Sequence, residues 1–145
     1  MLKWLILVHV LGAAVWVGGH LVLSIGLLPL AFKRKDLTII KNFEQHFERV
    51  GIPALLIQIV SGIWMVLLYV PMQDWLSLAT VHHRLLWIKL SLLLGTIGLA
   101  VYVRFFIFPR LTNERMPMLA LHIILVTIVA VAFVVTGLSF RFNYF

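Results

Sequence analysis

From residue 2 to residue 30 the chain runs through Leu, Val, Ile, Ala and Gly, broken only by Lys3, two tryptophans, His9, His20, Ser24 and Pro29. As a helix rising 1.5 Å per residue, such a run is ~43 Å long, more than the ~30 Å of a bilayer's hydrocarbon core. A backbone in hydrocarbon must satisfy its own hydrogen bonds, so a lone apolar run of this length has to be helical. Three more runs of spanning length follow, at about 43–70, 82–108 and 117–140. Of the 145 residues 63% are hydrophobic and 12% charged, and a soluble domain of this size has no interior for so much apolar surface. The fold class is therefore all-α: an integral membrane four-helix transmembrane bundle, with residues 1–145 forming a single domain. Lys3 ahead of an apolar run resembles a signal peptide, but the run is too long for an h-region and lacks a small-x-small cleavage site, so it counts as a mature span.

A formal charge of +7 would point to nucleic acid in a soluble protein; here the charges fall in short connections, and topology explains them. The connection after the first span (Lys33, Arg34, Lys35, Lys41, Arg49) and the one after the third (Arg104, Arg110, Arg115) hold eight of the twelve Lys and Arg residues. The positive-inside rule places both in the cytoplasm and both termini on the outer, periplasmic side of a bacterial inner membrane. Trp4, Trp75, Trp87 and Tyr144 then mark the outer interface. The connection from Pro71 to Thr80 carries no Lys or Arg.

Polar side chains inside the spans must find partners, because leaving them unpaired in hydrocarbon costs several kcal/mol. His9, Ala13, Trp16 and His20 share one face of the first helix, with the two imidazoles ~16 Å apart along the axis. Gly12, Gly18, Gly19 and Gly26, with Ala13 and Ala14, leave a groove for a helix or a flat ligand. The six histidines sort by depth into an outer group (His9, His82, His83) and an inner group (His20, His46, His122). Without cysteine, the candidate ligands are His, Met and carboxylates, and thiolate sites, iron–sulfur clusters and covalent c-type haem are excluded.

Two neutral imidazoles at one depth on facing helices, with basic residues near an interface for propionates, are what haem b needs. His9 with His83 forms one such pair, with Arg84 or Lys89 nearby; His20 with His122 or His46 forms another, with Arg49 or Arg115 nearby. Copper is the competing ligand. Met65 and Met72, however, lie at the opposite membrane face from Met116 and Met118, so no single Met-rich shell results. Hydrogen-bonded packing histidines remain an alternative at every position, and Lys89 is close enough to the boundary to snorkel outward.

His9 with Trp16-Val17-Gly18-Gly19, Ser61-Gly62-Ile63-Trp64 and Leu86-Trp87-Ile88-Lys89-Leu90 resemble the membrane domain of the copper resistance protein D (CopD) family. His9, the Trp-x-Lys-Leu pattern at Trp87 to Leu90 and Asn113-Glu114-Arg115-Met116-Pro117 give a weaker similarity to the HemJ-type protoporphyrinogen oxidases. Together these resemblances imply a bacterial inner-membrane protein that handles haem or copper.

The leading expectation is one or two haem b groups held by His pairs and serving electron transfer or a membrane redox reaction, with a quinone or another membrane partner. The alternatives are a CopD-type copper transport or resistance component with His9, His82 and His83 as an outer entry site, a HemJ-like oxidation, and a structural subunit. Lipid is the expected partner and nucleic acid is not; the Gly-rich faces permit a homo-oligomer.

Overall fold

The computed structural model describes residues 2–76 and 78–142; Tyr144, expected at an interface, lies outside them. Four helices are long and apolar enough to cross a membrane: α1 (Leu2–Arg34), α2 (Thr38–Tyr69), α3 (Val81–Arg110) and α4 (Asn113–Phe140). No strand occurs among the described residues. Large apolar side chains such as Ile25, Leu94 and Phe105 stand exposed on the outer surface of the bundle, as expected where the solvent is lipid.

Two helices contain a π-helical turn, at Val22–Leu27 in α1 and at Val103–Ile107 in α3. Each lies just ahead of a proline, Pro29 or Pro109. A proline has no N–H for the carbonyl four residues before it, and a wider turn absorbs the mismatch. Past Pro29, α1 continues to Arg34, four residues beyond the expected end. It stops where Lys35 enters the left-handed region (φ 52°). The Lys35 N–H then donates to the Phe32 carbonyl (3.2 Å) and the Asp36 N–H to that of Ala31 (3.0 Å), a Schellman closure with lysine where glycine is usual.

Asp36 Oδ1 accepts from the Thr38 hydroxyl (2.6 Å) and the Thr38 N–H (2.9 Å), and these two bonds hold its carboxyl below the usual range. They start α2 at Thr38, five residues earlier than expected. At ~48 Å, α2 outreaches the hydrocarbon core, so its polar first turns extend toward the headgroup layer. Pro53 is accommodated within the helix.

α1 packs along α2 and also against α4, and α4 packs against α3, whereas α2 and α3 make no extensive contact. The ring therefore runs α2–α1–α4–α3 and is open between its ends. Its apolar core (Leu23, Leu28, Ile40, Ile107, Leu119, Ile123) lies at the end that bears the basic connections. There α1 and α3 finish and α2 and α4 begin.

Candidate functional site

Two of the four glycines of α1, Gly12 and Gly19, admit α2, while Gly18 and Gly26 face open space. A Cβ on Gly12 would stand 2.9 Å from the Ala54 carbonyl oxygen, and one on Gly19 would run into the Phe47 ring. That ring also lies against Gly51 of its own helix, stacks on Phe43 (centroids 5.4 Å apart) and meets His20 edge-on at 5.7 Å. Much of the expected groove is thus filled by a helix seam and one phenyl ring.

Above the apolar core lies a cavity of about 320 Å³ to which all four helices contribute. α1 supplies Trp16, Gly19 and His20; α2 supplies Glu44, Phe47 and Glu48; α3 supplies Thr96, Arg104 and Phe108; α4 supplies His122 and Ile123. His20 and His122 are close enough to interact electrostatically. Glu44 and Glu48 stand one turn apart on α2. Arg104, in the π-helical turn of α3, pairs with Glu48 at 3.7 Å.

The tautomer of His20 follows from its partner. Nδ1 lies 2.8 Å from the Trp16 carbonyl oxygen, which can only accept, so Nδ1 carries the proton and Nε2 keeps its lone pair. The imidazole also lies 4.5 Å from the Trp16 ring centroid, and its orientation is fixed from two sides. The Thr127 hydroxyl donates chiefly to the Ile123 carbonyl at 2.7 Å and shares its proton with the His20 carbonyl oxygen at 3.3 Å, a bifurcated bond that links α4 weakly to α1 at this level. His122 is buried, with the Tyr102 ring 6.4 Å away.

A second polar group lies toward the opposite end. His9 Nδ1 is 2.9 Å from Ser61 Oγ, and Ser61 is 2.5 Å from the Ile57 carbonyl oxygen. The single hydroxyl proton goes to that carbonyl, so Ser61 accepts from His9 and Nε2 is again the free nitrogen. Lys89, for which an outward reach was open, turns inward. Its Nζ is 5.2 Å from the Phe140 ring centroid and 3.5 Å from where a Cβ on Gly137 would stand, within electrostatic reach of His9.

The remaining candidates stand apart. His46 is exposed and bonds its own helix through the Asn42 carbonyl (2.6 Å), so it does not join His20 and His122. Arg49 and Arg84 are exposed. His82 is exposed beside Phe140. His83 is half-buried with its Nδ1 unpartnered among the described residues, and no contact joins it to His9 there. No cluster of three or more His, Asp or Glu residues suited to a metal ion occurs among the described residues.

The cavity also takes in Glu44, Phe47, Glu48, Thr96 and Arg104, which the depth of the histidines alone does not single out. The i, i+3, i+4 spacing of the first three was the available signal on α2, and Thr96 lies seven residues after Lys89 on the same face of α3.

A comparison with family models matches residues 41–140 to copper resistance protein D, a span that takes in α3, α4 and most of α2 but not His9 or His20. No curated protein and no solved structure matches the chain.

Proposed function

This chain belongs to the copper resistance protein D (CopD) family, and from that premise we propose that it carries copper ions as cargo through a bacterial inner membrane. His20 and His122 are the central ligand pair and His9 the imidazole nearer the outer face. The observation that carries this reading is that His20 and His122 share one cavity while the Trp16 carbonyl keeps the proton on Nδ1 of His20. An imidazole ligates through an unprotonated nitrogen, and a hydrogen bond on the other nitrogen fixes its orientation and raises its basicity. Imidazole suits copper, and a cuprous ion accepts low coordination numbers, so two nitrogens suffice to hold it. A pair also suits cargo better than a closed cage does, since a carried ion must be able to leave. By the positive-inside rule, the end with Glu44 and Glu48 faces the cytoplasm.

Haem b would draw on the same two imidazoles. The Phe47 ring, however, lies against Gly19 and narrows the room beside His20, and the family match favours copper. These two observations favour the ion over haem b at the histidine pair.

The test is copper affinity in detergent and copper uptake in proteoliposomes for wild type, His20→Ala, His122→Ala and His46→Ala. Loss of one of two imidazoles should weaken binding at least tenfold, while His46→Ala should match wild type. Unchanged affinity in both cavity variants would remove the assignment.

A further inference from the structure

The described residues contain one ion pair, Glu48–Arg104 at 3.7 Å, and it joins the two helices of the ring that do not pack together. Glu48 and Arg104 line the cavity, yet their side chains are 45% and 66% exposed, so they stand where the cavity meets the surface. Ile52, one turn beyond Glu48, also lines the cavity and is 51% exposed. On the other flanks α1 packs against both α2 and α4, and α4 packs against α3. Below, the apolar core closes the floor.

We propose that the slit between α2 and α3 is the opening that connects the cavity with the adjoining headgroup layer, and that Glu48–Arg104 is its latch. A partly exposed pair is weak and opens readily. Arg104 also sits in a π-helical turn ahead of Pro109, where α3 lacks regular hydrogen bonding and can shift locally. Opening the latch frees the Glu48 carboxylate beside Glu44, so a cation entering from the headgroup layer meets carboxylates first and imidazoles next. The opening belongs to the cavity whatever its cargo; only its use by copper rests on the function proposed above, and the test leaves copper out.

The chain has no cysteine, so a single introduced thiol is unique. Thr96 lines the cavity and is 2% exposed, and cysteine is close to it in size. Thr96→Cys protein in lipid vesicles is reacted with N-ethylmaleimide, and the labelling rate is followed by mass spectrometry. Breaking the latch with Glu48→Gln or Arg104→Gln should raise the rate about three- to fivefold, the factor that an exposed pair is worth. The exchange Glu48→Arg with Arg104→Glu should return it toward the starting value, and Arg115→Gln should not change it. Ile52→Trp, which narrows the slit, should slow labelling. Equal rates with and without the latch, or no slowing by Ile52→Trp, would overturn the proposal.

Discussion

Ser61 accepts a hydrogen bond from His9 across the α1–α2 seam because its own proton is committed to the Ile57 carbonyl. One hydroxyl thereby selects the tautomer of an imidazole on another helix. Ser61→Ala leaves the Nδ1–H without that acceptor at a part-buried position and should cost about 1–3 kcal/mol. Unfolding in detergent reads the cost, and nitrogen chemical shifts of the His9 ring should show the Nδ1–H form falling from dominance. An unchanged tautomer would mean that Ser61 does not select it.

Gly18 and Gly19 are neighbours in sequence with opposite surroundings. A Cβ on Gly18 meets nothing within 4 Å, whereas one on Gly19 strikes the Phe47 ring. Gly18→Ala should stabilise the protein by about 0.5–1 kcal/mol through helix propensity. Gly19→Ala should destabilise it by about 1–3 kcal/mol, because the Phe47 ring, stacked on Phe43, must move. Paired thermal denaturation curves in one detergent test the opposite signs, and equal effects would refute the packing account.

The spans, their number and the shared face of His9, Trp16 and His20 were legible in the sequence, since each follows from apolar length or helical period. The π-helical turns were not read, although Pro29 and Pro109 marked them, because a proline specifies a mismatch and the neighbouring packing decides how it is absorbed. Which helices neighbour one another was not legible either. Without that order, Glu48 and Arg104 read as separate interfacial charges, Lys89 as a residue free to snorkel, and His46 as a weaker candidate still open beside His122. The haem expectation rested on the matching depth of the imidazoles, on basic residues near an interface, on a Gly-rich groove and on the family resemblances. None of these shows that a phenyl ring from α2 fills the Gly19 groove.

Lys35 holds a positive φ of 52° directly after α1, a conformation that costs a residue with a Cβ about 1–2 kcal/mol. Lys35→Gly should recover about 1 kcal/mol, visible as a raised melting temperature, and Lys35→Val should lower it. The adjoining Asp36 carboxyl supports the same turn, and its lowered pKa sets the pH dependence. Its contribution is complete above the ordinary carboxylate range and is lost as the pH falls through the lowered folded-state value. Asp36→Asn should abolish that acid-side slope, as read from melting temperature against pH.

The two polar groups of the bundle differ in sign. The cavity with His20 and His122 carries Glu44, Glu48 and a single Arg104, whereas His9 faces Lys89, with no carboxylate bonded to either among the described residues. A copper ion at His9 is therefore opposed by an ammonium held against Phe140, while one at His20 lies among acids. Copper should rest at the cavity and only pass His9. Lys89→Met keeps most of the length of the side chain and removes the charge. At an effective dielectric constant near 20, removing a like charge ~10 Å away should strengthen cation binding at His9 about 15- to 20-fold. Copper titration of Lys89→Met in a His20→Ala, His122→Ala background isolates that end of the bundle. If affinity there falls instead of rising, the Lys89 ammonium supports the His9 site rather than opposing the ion.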